Sequence, residues 1–272
     1  MSFKKVLYCC LALVIVGGVL TGCGKKSGKS EKSEEKKSEA KKPAPPLDKE
    51  RIAADEAKGI KFSDDKRTLV EYNRDLPDKE YAIPDGITAI GEGAFLGCEN
   101  LTSVTIPSSV TTIGACAFTG CGLTSVTIPS SVKTSGDSAF AWCEKLTSVT
   151  IPSSVTTIGE GAFLGCENLT SVTIPSSVTT IGACAFAGCG LTSVTIPECV
   201  TTIGKGAFSD CKNLTSVTIP SSVTTIGERA FSECEKLTSV TVPSSVKTIE
   251  KGAFSGCPCE ESVKKQFPNY GK

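Results

Sequence analysis

The sequence predicts a repeat solenoid, in which short coils of chain stack along one axis, and two observations support this prediction. The first is that phenylalanine recurs every 22 or 23 residues over most of the chain. The second is that a cysteine three residues after each phenylalanine, and a proline earlier in each unit, keep the same period. Eight units are marked in this way: Phe95, Phe118, Phe140, Phe163, Phe186, Phe208, Phe231 and Phe254; Cys98, Cys121, Cys143, Cys166, Cys189, Cys211, Cys234 and Cys257; Pro84, Pro107, Pro129, Pro152, Pro175, Pro197, Pro220 and Pro243.

Each unit predicts a strand, a second extended arm and a helical turn. In the unit that begins at Leu169, apolar residues alternate with polar ones up to Pro175, a pattern typical of a strand buried on one face. Val178 and Ile181 begin a second extended arm. The Ala-Phe-x-x-Cys segment around Phe186 predicts a helical turn whose ring fills the coil.

A coil of this length cannot form a core alone, so the coils must stack. Each neighbour covers the apolar face of the next and supplies parallel backbone hydrogen bonds about 4.8 Å away. Gly182 and Gly188 are expected to supply the bends at the corners of a coil. Segments 99–129 and 167–197 are identical except that Thr119 corresponds to Ala187, which indicates duplication of a three-unit block.

The repeating pattern Leu-x-x-Val-x-Ile-Pro-x-x-Val-x-x-Ile-Gly-x-x-Ala-Phe-x-x-Cys resembles the BspA-like, treponemal-type leucine-rich repeat. The resemblance runs over residues 83–257. It implies a right-handed leucine-rich-repeat coil with a parallel β-sheet, short second strands and helical turns. It also implies a surface or secreted protein that binds proteins or cells and catalyses no reaction.

The remaining segments predict caps and an anchor around the solenoid of residues 83–257. Residues 51–82 are expected to form an N-terminal cap with a hairpin between 60–62 and 68–72. Residues 258–272 are expected to form a C-terminal cap with a short helix over 260–267, because acidic residues begin it and Lys264 and Lys265 lie near its end.

The N-terminus predicts a lipoprotein. Lys4 and Lys5 precede an apolar run over 6–20 that is short for a membrane span of about 20 residues, so residues 1–22 are interpreted as a signal peptide. Leu20, Thr21, Gly22 and Cys23 resemble a bacterial lipobox, which implies lipidation at Cys23. Residues 23–50 are rich in Lys, Ser and Pro and predict a disordered, lipid-anchored tether. The expected location is the bacterial cell envelope, facing the surface or the periplasm.

The composition argues against catalysis, metal binding and nucleic-acid binding. The chain has no histidine, so it lacks the commonest general base and zinc ligand, and its 29 basic residues balance 29 acidic ones. No cofactor or metal is predicted. The cysteines after each Phe are expected to be buried free thiols, with disulfides the alternative in an exported protein. Cys116, Cys184, Cys199 and Cys259 lack the spacing of a zinc site.

The candidate binding face consists of the outward hydroxyls of the strands. Such a row is either a recognition surface or simply a soluble strand surface made of good β-formers. Because it lacks aromatic and arginine anchors, binding through it should be weak per unit and depend on repetition. The candidate residues are Ser103, Thr105, Ser125, Thr127, Ser148, Thr150, Ser171, Thr173, Ser193, Thr195, Ser216 and Thr218.

One coil departs from the pattern. Ser135 occupies a column otherwise filled by Ile, as at Ile113 and Ile158, and Trp142 occupies a column in which Gly is common. Trp142 is interpreted either as an exposed binding anchor or as a ring that packs over the gap left by Ser135.

The predicted function is that of an envelope lipoprotein that binds proteins or cell surfaces through its repeat face. The partner is expected to be a protein, such as a host extracellular or cell-surface protein, and the membrane is engaged through the N-terminal lipid. Two alternatives stay open: an envelope spacer without a specific ligand, and an ice-binding surface, because regular Ser-x-Thr rows resemble those of ice-binding solenoids.

Overall fold

A computed structural model describes residues 45–268 and Tyr270. Within this range the chain forms a solenoid of stacked coils in which nearly all strands pair in parallel, and it contains two short helices. The predicted fold class is thereby confirmed. The signal peptide, Cys23 and the tether up to residue 44 lie outside the described residues.

The N-terminal cap consists of a helix and a hairpin. Helix α1 (Lys49–Ala57) begins after Asp48, whose carboxylate accepts a hydrogen bond from the Arg51 backbone N–H at 3.0 Å. Strands β1 (Lys61–Phe62) and β2 (Thr68–Glu71) pair antiparallel, as the predicted hairpin requires. The predicted tether extends to residue 50, but α1 begins at Lys49 and Asp48 donates its backbone N–H to Asp85, so the ordered cap starts earlier than expected.

The cap is joined to the solenoid by a buried polar cluster. The Tyr81 hydroxyl donates to Asp55 Oδ2 at 2.7 Å, and Arg51 Nε donates to the same carboxylate at 3.1 Å. Asp55 is 1% exposed, so these two partners compensate the cost of burying its charge. Helix α1 is thus held against the first coil.

The first strand of each coil lies on one side of the solenoid and ends before the proline. The paired strands run parallel without a register shift, so their equivalent residues lie side by side. Within the described residues no strand pairing joins Ser103–Thr105 to Ser125–Thr127. Residues 171–173 lie on the same side of the solenoid, where Thr173 forms isolated parallel β-bridges with Thr150 and Thr195. The strands are β3 (Glu80–Ala82), β5 (Ser103–Thr105), β7 (Ser125–Thr127), β9 (Ser148–Thr150), β12 (Ser193–Thr195), β14 (Ser216–Thr218) and β16 (Ser239–Thr241).

The second arm of each coil forms two-residue strands that also pair in parallel. One five-stranded sheet continues the cap strands β1 and β2 with β4 (Ala89–Ile90), β6 (Thr112–Ile113) and β8 (Thr134–Ser135). The other five-stranded sheet consists of β10 (Thr157–Ile158), β11 (Thr180–Ile181), β13 (Thr202–Ile203), β15 (Thr225–Ile226) and β17 (Thr248–Ile249).

The third side of each coil is the turn that carries the phenylalanine. In this turn backbone N–H groups donate to the carbonyl three residues earlier, as Leu96 does to Gly93 and Cys98 to Phe95. These bonds give the turn the predicted helical character without forming a full helix. The eight Phe rings stack in one column with centroids 4.8 to 5.6 Å apart and planes 3 to 10° apart. The rings are buried, as predicted.

Two glycine columns have different roles. Gly188 has a φ of +67°, so it does supply the bend expected of it. The expectation for Gly182 was wrong: it has no positive φ, and a Cβ there would lie 2.9 Å from the Glu160 nitrogen of the preceding coil. Its column is required for close approach between coils rather than for bending.

Tyrosines close both ends of the aromatic column. At the N-terminal end Tyr72 stacks on Phe95 at 5.2 Å and donates its backbone N–H to Ala94. At the other end helix α2 (Glu260–Gln266) covers the last coil, as predicted, and the Tyr270 hydroxyl accepts the Phe254 backbone N–H at 2.7 Å. In the coils between, a carbonyl of the next coil accepts this N–H, so Tyr270 replaces the coil that would follow.

Candidate binding face

The hydroxyl face is formed by the first strands of successive coils. In β7, β9, β12 and β14 the Ser and Thr are exposed and the Val between them is buried, as the alternating pattern predicts. Ser171 and Thr173 are exposed too, while Ser103 is half-buried. The structure therefore brings the twelve predicted hydroxyl residues together on one side.

The sequence-based prediction missed the last members of both rows. Ser239 and Thr241 lie in register with Ser216 and Thr218 and are exposed. Their signal was present in the Leu-x-x-Val-x-Val-Pro motif of residues 237–243, which differs from the other units only in its second Val.

The hydroxyls of this face are available for a partner, whereas those of neighbouring columns are engaged. Within the described residues, none of the Ser and Thr side chains at the predicted positions makes a hydrogen bond inside the protein. In contrast, Thr124 Oγ1 donates to Thr102 O at 3.3 Å and Thr147 Oγ1 donates to Thr124 O at 3.0 Å. The threonine just before most of these strands thus ties coils together, and the strand hydroxyls remain free.

The face supports many weak hydrogen bonds and no strong anchor. Neighbouring rows lie about 4.8 Å apart because the coils pair in register. A hydroxyl donates one hydrogen bond and accepts others, and each such bond contributes about 0.5–1.5 kcal/mol. Each second-arm strand contributes one exposed threonine, for example Thr112, Thr157 and Thr202. The threonine before it is exposed too, but at Thr111 and Thr201 its hydroxyl donates to the preceding coil. The first strands therefore present the denser row.

Trp142 lies apart from the hydroxyl face. It is half-buried with a φ of +58°, and its ring covers Gly165 of the next coil so closely that a Cβ there would overlap it. The ring borders one cavity of about 190 Å³ with Glu99 and Glu144 and another of about 660 Å³ with Glu167 and Asp210. None of the predicted hydroxyl residues lines either cavity, so the structure does not join Trp142 to the rows.

The proposed packing of Trp142 over the gap at Ser135 is wrong. The space beside Ser135 is a cavity of about 20 Å³ whose walls include Val132, Val155 and Phe163 but not Trp142. The Ser135 hydroxyl and the indole N–H of Trp142 are both buried without a hydrogen-bond partner. The ring therefore packs between coils without filling the gap.

The cysteine column is buried, and no cysteine of the described residues forms a disulfide. Each thiol from Cys121 to Cys257 donates to the carbonyl of a phenylalanine in the preceding coil at 2.9 to 3.3 Å, as with Cys121 and Phe95. Burial raises the pKa of Cys143 to about 12, so this thiol stays protonated near neutral pH. No group of metal-ligating side chains occurs among the described residues.

The part of the chain that the structure describes contains no helix long and apolar enough to cross a membrane. Lipidation at Cys23 remains a prediction from the sequence.

Comparison with known proteins places the repeats in a recognised group. The sequence matches the family model described as BspA type leucine rich repeat region, in six copies over residues 78–189 and 134–261. No curated protein matches the sequence.

Crystal structures of bacterial leucine-rich repeat proteins are similar to this chain. A Treponema pallidum protein is 26% identical with a TM-score of 0.55, over 78% of this chain and 94% of its own. A Eubacterium ventriosum protein is 28% identical with a TM-score of 0.52, over 73% and 48%. A leucine-rich cell surface protein of Faecalibacterium prausnitzii is 33% identical with a TM-score of 0.48, over 66% and 57%. This chain thus spans about half the length of the last two.

Proposed function

Because the chain belongs to the BspA-type leucine-rich repeat family, we propose that it is a non-enzymatic envelope protein that binds a protein partner through its hydroxyl face. One observation carries this proposal: the rows of Ser and Thr are exposed, in register and unused by the fold. A regular array of free hydroxyls matches the exposed polar groups of an extended partner. The partner in this proposal is a host extracellular or cell-surface protein.

Binding through such a face depends on the number of coils. Single hydroxyl contacts are weak and the face has no aromatic or arginine anchor, so affinity comes from repeated contacts and from several tethered copies. Deletion of residues 99–166 tests this directly. Because segments 99–129 and 167–197 are near-identical, the new junction of Cys98 with Glu167 reproduces the original junction with Glu99.

The deletion and a point variant are to be compared on the same immobilised extracellular proteins and on intact host cells. The expected result is a graded loss of avidity in the deletion, which lacks three coils, and unchanged binding in Trp142→Ala. Complete loss in both, with the melting curve of Trp142→Ala preserved, would contradict the repeated face and make Trp142 the anchor.

A matched pair of double variants separates the two sides of the solenoid. Thr127→Lys with Thr150→Lys places two charged, bulky side chains on the hydroxyl face, whereas Thr112→Lys with Thr157→Lys places them on the second arm. All four positions are exposed. We expect only the first pair to reduce binding. Equal binding by both pairs and by the unmodified protein would exclude the hydroxyl face as the binding site, and absence of binding by all three would leave an envelope spacer as the function.

The anchor is tested separately from binding. We propose that Cys23 becomes the lipidated N-terminus and that two acyl chains hold the protein on a membrane of the envelope, since one chain alone gives only marginal attachment. Cys23→Ala should release the protein from membranes or block its processing. Mass spectrometry that finds an unmodified Cys23 in membrane-bound protein would exclude the anchor.

A further inference from the structure

The backbone hydrogen bonds between second-arm strands of neighbouring coils are interrupted at one step, between β8 and β10. In regular coils the glycine after the second strand donates its N–H to the preceding coil, as Gly182 does to Ile158 and Gly204 to Ile181, each at 2.9 Å. Within residues 45–268 the Gly159 N–H makes no such bond to Ser135. The two five-stranded sheets end here, at β8 and β10.

A second amide, three residues earlier in the same coil, lacks the corresponding hydrogen bond at this step. Thr179 donates its N–H to Thr156 at 2.9 Å, and Thr201 donates to Thr179 at 2.9 Å. The corresponding Thr156 N–H makes no hydrogen bond to Lys133 in the described part of the chain. The Asp137 carboxylate compensates in part, because it accepts the Glu160 N–H at 3.2 Å.

The core beneath this step is loosened as well. Ser135 replaces the isoleucine that fills the same place in the other coils, and the cavity of about 20 Å³ lies beside it. The hydroxyls of Ser135 and Ser138 are buried without partners. Phe140 and Phe163 are separated by 5.6 Å, the widest spacing in the Phe column, whose other steps measure 4.8 to 5.4 Å.

The other two sides of the same pair of coils remain closed. Strands β7 and β9 pair in register on the first side. On the turn side Ser138 N–H donates to Glu160 at 2.7 Å, and Phe140 N–H donates to Ala162 at 3.0 Å. One side of this joint is therefore open while two sides hold it, which is the geometry of a hinge.

We propose that the step between β8 and β10 is a hinge that divides the solenoid into an N-terminal block (residues 45–143) and a C-terminal block (residues 146–268). The blocks rotate about the closed sides, and the gap beside Ser135 widens or narrows as they move. The rotation changes the curvature of the array. This property belongs to the protein alone, so it stands whether or not the hydroxyl face binds a partner.

Hydrogen exchange of the unliganded protein gives the first test. Exchange protection reports local opening of backbone hydrogen bonds. The amides of Thr156 and Gly159 should exchange at least about tenfold faster than those of Thr201 and Gly204, their counterparts in the C-terminal block. Equal protection at the two pairs of amides would overturn the proposal.

Two substitutions test whether Ser135 causes the opening. Ser135→Ile restores the side chain of the column, and we expect it to bring the exchange of Gly159 down to that of Gly204. The reciprocal variant Ile203→Ser should raise the exchange of Gly227, whose N–H donates to residue 203 at 2.9 Å. Unchanged exchange at Gly159 in Ser135→Ile would show that the serine is not the cause.

Distance measurements separate a hinge from a static gap. Spin labels on non-natural amino acids avoid the native thiols and fit exposed second-arm positions. Labels at residues 112 and 202 span four coils across the step, and labels at residues 157 and 248 span four coils within one block, about 20 Å in each case. We expect a broader distance distribution for the first pair, narrowed by Ser135→Ile. Equal widths would overturn the proposal.

Discussion

Segments 99–129 and 167–197 are almost the same peptide in two places of one solenoid. They share every residue except position 119, which is Thr, and its counterpart 187, which is Ala. Both form the same turn, in which Phe118 and Phe186 are fully buried and Gly120 and Gly188 have positive φ. The backbone of this turn is thus fixed by its own sequence.

The two segments differ in what their side chains contact. Ser177 Oγ donates to Val155 O of the preceding coil at 2.6 Å, whereas the equivalent Ser109 Oγ is buried without a partner. Thr119 Oγ1 donates to the Ser138 carbonyl at 2.7 Å. Ala187 has no hydroxyl and cannot make the equivalent bond. Identical residues therefore contribute different amounts to stability, because the neighbouring coil decides whether a buried hydroxyl is satisfied.

The largest expected effect is on the aromatic column. Phe118→Ala and Phe186→Ala should each lower the free energy of unfolding by about 3–5 kcal/mol, because each leaves a cavity between two rings. Phe118 stacks at 4.8 and 5.1 Å and Phe186 at 5.4 Å on both sides, so we expect the larger loss at Phe118. Urea denaturation measures both. An unchanged midpoint in either variant would contradict the stacking as a source of stability.

The one sequence difference between the segments should have an intermediate effect. Thr119→Ala removes a buried hydrogen bond and should cost about 0.5–1.5 kcal/mol of unfolding free energy. The reverse change, Ala187→Thr, places the same hydroxyl near the equivalent carbonyl and should raise stability by up to about 1 kcal/mol. The same denaturation experiment applies. A loss in both variants would show that the extra methyl, not the hydrogen bond, decides the outcome.

The smallest effect is expected at Ser109, and its counterpart Ser177 should respond differently to the same change. Ser177→Ala loses its bond to Val155 and should cost about 0.5–1.5 kcal/mol. Ser109→Ala removes a buried hydroxyl that has no partner, so the unfolding free energy should stay unchanged or rise. Equal losses at the two positions would mean that the hydroxyl of Ser109 is satisfied by solvent.

Some features of the ends were predictable and others were not. The hairpin over β1 and β2 and the helix α2 follow from local signals of turn and charge. Helix α1 was missed although Asp48 is a suitable N-cap, because the polar residues up to 50 favour a disordered tether. Its position depends on the contact of Asp55 with Tyr81, 26 residues away, which no local pattern shows.

The sequence by itself determined the repeat, the buried columns and the outward hydroxyls, because these depend on a period that each coil carries within itself. Only the tertiary structure decided how the coils meet. It placed Trp142 on Gly165 rather than over Ser135 and ended both second-arm sheets at one step. These outcomes depend on hydrogen bonds and packing between residues of different coils, about one repeat apart, which the pattern within a single coil does not contain.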